Sequence, residues 1–213
     1  MTDSTLTHLY FLLDRSGSMQ SIKTDTEGGF AAFIAEQRNA AGRCRVTLAQ
    51  FDNAYEVVYA DLDVALVEPL TLQPRGTTAL LDAIGRLVTE AGQALARLPE
   101  AERPGTVVVA IMTDGLENAS QEWTHAAVKA LIEQQERDYL WQFLYMGADQ
   151  DAIEVGASIG VAAANSLTYA RGAVAPAMAA ASSMVGELRT ARRHCADASL
   201  RGYSEKERRD SAG

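Results

Sequence analysis

The sequence contains few cysteines and no long hydrophobic segment. Cys44 and Cys195 are its two cysteines, too few for a disulfide framework or a cysteine-based zinc site, as is typical of proteins of the reducing cytoplasm. The longest strongly apolar run, Val107 to Met112, is far shorter than a membrane span, and no basic segment precedes a hydrophobic one at the N-terminus. We therefore expect a cytoplasmic protein that does not bind or cross a membrane.

The sequence also lacks an excess of positive charge. Its 28 acidic and 19 basic residues give a net charge of −9, which argues against general binding to nucleic acids or anionic membranes, because both need a basic face. Hydrophobic residues make up 47% and charged residues 22% of the 213 positions, which is ordinary for a globular protein. This length favours one compact domain with short additions.

Apolar runs and helical stripes alternate along the chain. Two nearly continuous apolar strands, His8–Leu13 and Thr106–Thr113, are each followed by an aspartate and are typical of strands buried on both faces of a parallel sheet. Asp52-Asn53 separates two β-rich runs and predicts a hairpin with a two-residue turn. The pattern predicts an α/β, Rossmann-like three-layer sandwich whose mostly parallel six-stranded sheet has one antiparallel edge strand and helices on both faces. The other predicted strands are 45–51, 54–62, 139–146 and 165–169, and the predicted helices are 19–40, 78–98, 121–137, 149–159 and 174–193.

Oxygen-bearing side chains follow the two central strands. In such a sheet, ligands bind at the carboxyl ends of the strands. Asp14, Ser16 and Ser18 form a D-x-S-x-S loop with oxygen ligands at alternate positions, which suits a hard cation such as Mg2+. Thr78 at the start of a predicted helix and Asp114 after the second strand add two more oxygen ligands. Each segment alone is also typical of a helix cap or a turn, but together they indicate one metal site.

These residues resemble the metal-ion-dependent adhesion site (MIDAS) of von Willebrand factor type A (VWA) domains. In that family a D-x-S-x-S loop is joined by a threonine from the next loop and by an aspartate in a T-D-G-like strand end. Asp14, Ser16 and Ser18 match the first part, and Asp114 matches the last. Thr78 is preferred over Thr77 because it stands five residues before the small residue Ala83, as the family threonine does. The resemblance covers roughly residues 6–190.

The resemblance implies a VWA-like domain at residues 1–193 that binds one Mg2+ or Mn2+ ion per chain. Ser16, Ser18 and sometimes Thr78 would bind the metal directly, and Asp14 and Asp114 directly or through water. The remaining position would accept an Asp or Glu side chain of a protein partner. We expect the charged residues 194–213, which lack periodicity, to form a mobile C-terminal tail.

The expected function is therefore binding rather than catalysis, in an intracellular, bacterial-type VWA protein. One alternative is an interaction subunit of a chelatase-like or ATPase-containing complex, whose ATPase would be a separate protein because this chain has no nucleotide-binding motif. A less favoured alternative is a Mg2+-dependent phosphohydrolase. That chemistry commonly places a second aspartate two residues after the first, where this chain has Ser16.

Overall fold

The computed structural model describes residues 2–213 and contains one sheet between two layers of helices. Its strands are β1 (Asp3–Asp14), β2 (Arg43–Phe51), β3 (Tyr55–Asp63), β4 (Pro104–Thr113), β5 (Gln142–Ala148) and β6 (Ser166–Tyr169). Its α-helices are α1 (Lys23–Asn39), α2 (Leu80–Ala96), α3 (His125–Tyr139), α4 (Ala152–Ser158), α5 (Val174–Arg192) and α6 (Glu205–Ala212). The strand order is β3-β2-β1-β4-β5-β6. The edge strand β3 is antiparallel to β2, and the other neighbouring strands are parallel. The predicted fold class is confirmed.

The central strand β1 contributes side chains to both hydrophobic cores. Successive side chains of a strand point to opposite faces. Leu9 and Phe11 therefore lie in the core formed with α1 and α5, whereas Tyr10 and Leu12 lie in the core formed with α2 and α3. Because both faces are covered there, the part of β1 from Leu9 to Leu13 is continuously apolar, as the sequence indicated.

The turn between β2 and β3 has three residues, Asp52 to Ala54, and not the two that were predicted. Asp52 causes the difference, because its Oδ1 accepts a hydrogen bond from the Ala54 backbone N–H at 2.6 Å. This bond, in which a side chain binds the backbone two residues on, closes a longer turn than a type I′ hairpin needs.

The C-terminal segment differs from the mobile tail predicted for residues 194–213. Leu200 and Tyr203 are buried in the core beside α5, and α6 begins with a capping box formed by Ser204 and Glu207. The Arg208 guanidinium donates hydrogen bonds to backbone carbonyls around β6. These long-range contacts fold the segment onto the domain although its composition is polar.

Within residues 2–213, no helix combines the length and the apolar character that crossing a membrane requires.

Candidate metal centre

The two aspartates predicted to bind metal lie side by side at the centre of the sheet. Asp14 is the last residue of β1, and Asp114 directly follows β4. These strands are parallel neighbours, with Leu13 paired to Met112. Their carboxyl ends therefore meet at the same edge of the sheet, where an α/β fold places its ligand sites.

The Asp14 carboxylate is buried, and its recorded hydrogen bonds come from neutral donors. Oδ1 accepts from the Ser16 backbone N–H at 2.6 Å, and Oδ2 accepts from Thr113 Oγ1 at 2.5 Å. Burial raises the pKa of Asp14 to about 6, against the opposing effect of these hydrogen bonds. Among residues 2–213, no Lys, Arg or His forms an ion pair with it. A buried carboxylate of this kind needs a proton or a cation.

The two serines of the first loop point at each other and at Asp114. Ser16 Oγ lies 3.0 Å from Ser18 Oγ, which in turn donates a hydrogen bond to Asp114 Oδ1 at 2.6 Å. Ser16 occupies the N-cap position of the short 3-10 helix Gly17–Ile22, but its side chain makes no capping hydrogen bond. The helix-cap interpretation therefore does not explain the hydroxyl of Ser16.

Thr78 reaches the same place from the loop before α2. It is buried, whereas Thr77 is exposed. Its backbone N–H donates to Asn118 Oδ1 and its carbonyl accepts from the Asn118 N–H, both at 3.0 Å. A Cβ atom placed on Gly115 would lie 2.9 Å from Thr78 Oγ1 and 3.7 Å from Ser18 Oγ. The hydroxyls of Thr78 and Ser18 thus converge beside a glycine whose missing side chain leaves room for them.

Asp114 is buried and forms an ion pair with an arginine that the sequence analysis did not connect to the site. Its Oδ2 lies 3.4 Å from the Arg171 guanidinium, which also lies 3.6 Å from Asp149 Oδ2. Arg171 stands 57 residues beyond Asp114 and belongs to no local motif, so only the fold brings the two together. Thr113, the hydrogen-bond donor to Asp14, was likewise missed, although its position before Asp114 in a T-D-G sequence was a signal.

The loop from Asp14 to Ser18 is fastened to its neighbours by backbone and ionic contacts. The Arg75 N–H donates to the Arg15 carbonyl at 2.8 Å, and the Gly17 N–H donates to the Gly76 carbonyl at 3.2 Å. Asp52 accepts from Arg15 Nε at 3.1 Å and from Arg75 Nε at 2.8 Å. Burial alone would raise the pKa of Asp52, but these hydrogen bonds hold it below its usual value. The three loops therefore present their oxygens from a preorganised frame.

Other acidic residues near this edge bind backbone N–H groups or Arg171. Glu117 accepts hydrogen bonds from the N–H groups of Leu81, Ala119 and Ser120. Asp151 caps the N-terminus of α4, because its side chain accepts from the N–H groups of Ile153 and Glu154. Asp149 has a φ of +48° and faces Arg171 instead.

The donor set fits a hard cation better than zinc. The predicted site consists of two carboxylates and three hydroxyls. Within residues 2–213, no cluster of three or more His, Cys, Asp or Glu side chains, the ligands typical of zinc sites, is arranged to hold a metal. In an octahedron with bonds of about 2.1 Å, neighbouring oxygens lie about 3.0 Å apart. The separations of 3.0 Å and 2.6 Å along Ser16, Ser18 and Asp114 are close to that value.

No protein-family model matches the sequence, and no curated protein matches it. Solved structures do match. Proximal thread matrix protein 1 from the mussel byssus, with a zinc-occupied MIDAS motif, has a TM-score of 0.59 at 15% identity over 84% of this chain and 46% of that chain. The von Willebrand factor type A protein from Catenulispora acidiphila has a TM-score of 0.53 at 16% identity over 83% of this chain and 42% of its own. The vWF domain of the type V pili tip protein Mfa5 from Porphyromonas gingivalis has a TM-score of 0.59 at 11% identity over 85% of this chain and 95% of its own.

This chain thus spans less than half the length of the first two proteins. The matches cover 83–85% of this chain. At these levels of identity the likeness concerns the fold. The chain has the fold of a von Willebrand factor type A domain.

Proposed function

We propose that this protein is a member of the VWA family that binds one Mg2+ or Mn2+ ion through Asp14, Ser16, Ser18, Thr78 and Asp114. The observation that carries the proposal is the position of the Ser18 hydroxyl, which lies 3.0 Å from Ser16 Oγ and 2.6 Å from Asp114 Oδ1. Residues 18 and 114 come from loops far apart in sequence, so this contact arises from the tertiary fold. A zinc-occupied MIDAS in a protein of the same fold supports the choice of a divalent cation.

We also propose that the bound cation joins the protein to an Asp or Glu side chain of a protein partner. The cation would supply an open coordination position for a carboxylate oxygen. Asp14 and Asp114 balance its two positive charges, and the hydroxyls add no further negative charge. Ser18 is exposed, whereas Asp14, Ser16, Thr78 and Asp114 are buried, so the partner would approach from the side of Ser18.

Binding without catalysis is the activity that we propose for this site. Asp14 is buried between neutral donors, an arrangement that holds a ligand in place. The two free cysteines, one buried and one exposed, are consistent with our proposal that the protein acts in the cytoplasm, as an intracellular, bacterial-type VWA protein.

Calorimetric titration with Mn2+ tests the metal site. We expect one ion per wild-type chain and at least tenfold weaker binding in Ser18→Ala, which removes an exposed hydroxyl without opening the core. Ser21→Ala is the matched control, because Ser21 is exposed in the same short helix and its hydroxyl donates only to the Ser18 carbonyl. Equal affinities in the two variants, or no loss in Asp14→Asn, would contradict the assignment.

The partner is tested by capture on the immobilised protein with and without a chelator. A partner that binds through the metal should be retained by the wild type and by Ser21→Ala. It should not be retained by Ser18→Ala or in the presence of chelator. A direct bond between metal and carboxylate acts at contact distance, so added salt should weaken it much less than chelator does. A partner that is still retained in the presence of chelator and by Ser18→Ala would show that recognition uses another face.

A further inference from the structure

Arg171 lies between two carboxylates at the edge of the candidate metal centre. Its guanidinium is 3.4 Å from Asp114 Oδ2 and 3.6 Å from Asp149 Oδ2. The Asp114 side chain is fully buried, whereas the side chains of Arg171 and Asp149 are 45% and 49% exposed. The guanidinium therefore reaches from solvent to the inner carboxylate.

Two backbone hydrogen bonds hold the residues directly before Arg171. The Asp149 N–H donates to the Tyr169 carbonyl at 3.0 Å, which holds Asp149 beside the end of β6. The Ala170 N–H donates to the carbonyl of Ser211 in α6 at 2.8 Å. The C-terminal helix therefore helps to hold Arg171 in reach of Asp114.

This arrangement solves an electrostatic problem of the site. Asp14 and Asp114 are both buried at this edge of the sheet, and like charges in a buried site repel each other. Arg171 is the one Lys, Arg or His within residues 2–213 that forms an ion pair with either of them. The guanidinium, 3.4 Å from the Asp114 carboxylate, attracts that carboxylate and repels a metal ion that binds to it.

We propose that Arg171 is an internal counter-ion that competes with the divalent cation for Asp114. The inference rests on the proposed metal site. When a metal takes Asp114, the guanidinium keeps Asp149 as its acceptor, so it moves aside without losing its ion pair. Arg171 therefore lowers the metal affinity of the site and stabilises the metal-free protein.

The test compares Arg171→Gln with Arg137→Gln in Mn2+ titrations and in melting experiments with chelator. Arg137 is a matched control, because it also pairs with an aspartate, Asp138, at 2.8 Å. It lies in the last turn of α3, which leads to the amino end of β5, whereas the candidate site lies at the carboxyl ends of β1 and β4. Because the pair is partly exposed, we expect Arg171→Gln to bind Mn2+ about three- to tenfold more tightly than the wild type. It should also melt at a lower temperature than Arg137→Gln when no metal is present.

The outcomes separate this inference from the proposed function. Unchanged or weaker Mn2+ binding in Arg171→Gln, beside wild-type binding that Ser18→Ala disrupts, would overturn the counter-ion role and leave the metal site intact. Binding by Arg171→Gln but not by the wild type would support the role in its strongest form. An absence of binding in both proteins would overturn both proposals.

Discussion

The orientation of the Asp14 carboxylate depends on two neighbouring hydrogen-bond donors. Asp14 lies in the core, and the Thr113 hydroxyl and the Ser16 N–H each hold one of its oxygens. Thr113 Oγ1 also accepts from the Gly115 N–H at 3.1 Å, so the hydroxyl is fixed from both sides. Thr113 therefore sets the direction in which Asp14 presents its free lone pairs.

Replacing Thr113 by valine should weaken Mn2+ binding about tenfold, because Asp14 loses the donor that orients it. Thr113→Ser keeps the hydroxyl and should bind within about twofold of the wild type. Calorimetric titration of both variants, with circular dichroism to verify folding, measures the difference. Equal affinities in the two variants would show that Thr113 does not position the carboxylate.

His8 is a buried histidine that the fold keeps neutral. Its Nε2 lies 2.9 Å from Thr47 Oγ1, and its ring stacks on Tyr10 at 4.1 Å. Burial lowers its pKa to about 4, with Arg45 acting in the same direction and Asp61, 3.9 Å away, opposing. The unfolded chain takes up a proton near pH 6.5 and the folded chain near pH 4, so stability is lost as the pH falls through that interval.

We therefore expect the wild type to lose up to about 3 kcal/mol more unfolding free energy than His8→Gln between pH 7.5 and pH 4. Urea unfolding at several pH values measures this loss. Asp14, whose raised pKa acts with the opposite sign, contributes equally to both proteins. His125→Gln, at an exposed position, should follow the wild type. Parallel curves for all three proteins would contradict the neutral state of His8.

Among the helices, α2 shows how one missing side chain permits close packing. A Cβ atom on Gly85 would overlap the indole ring of Trp123, whereas a Cβ atom on Gly92 would meet nothing within 4 Å. Both glycines lie inside α2. Trp123 covers the helix at Gly85, just before α3 begins.

Gly85→Ala should lower the unfolding free energy by about 1–3 kcal/mol, because the indole must move. Gly92→Ala should raise it by about 0.5–1 kcal/mol, because alanine restricts the unfolded chain and favours the helix. Urea unfolding of the two variants measures both effects. Destabilisation of equal size at both positions would show that the Trp123 contact is not the cause.

The strands and helices that the sequence predicted best are those whose signals are local. The apolar runs that became β1 and β4 need no distant information, because burial on both faces makes each strand continuously hydrophobic. The D-x-S-x-S loop is likewise a local signal, because its three oxygen-bearing residues lie within five consecutive positions. The Arg171 pair with Asp114 and the three-residue turn at Asp52 depend on contacts made in the folded chain, so spacing alone does not reveal them.

At the scale of the whole fold, the C-terminal segment is the clearest case of tertiary contacts that override composition. Its capping box, Ser204 with Glu207, is a sequence signal for a helix start that the charged composition obscured. Arg201 adds ionic contacts to Glu187 and Glu207. The segment therefore packs against the sheet and its helices, and it helps to hold the residues beside Arg171.

Two adjacent arginines of α6 allow a matched test of this packing. Arg208 donates to the carbonyls of Ser166 and Ala163 at 2.9 Å, whereas Arg209 is exposed and pairs with Glu205 one turn away in the same helix. Arg208→Ala should lower the unfolding free energy by about 1–3 kcal/mol, because it leaves carbonyls without their charged donor. Arg209→Ala should change it by less than about 0.5 kcal/mol. Similar effects of the two substitutions in urea unfolding would contradict the docking of α6.

Diffraction from crystals grown with Mn2+ and measured at the manganese absorption edge tests the proposed metal site most directly. We predict one anomalous peak per chain at the carboxyl ends of β1 and β4, within bonding distance of Ser16 Oγ and Ser18 Oγ and beside Asp14, Thr78 and Asp114. The Arg171 guanidinium should have turned from Asp114 toward Asp149. A map with no peak there, or with its peak bound to other residues, would contradict the account.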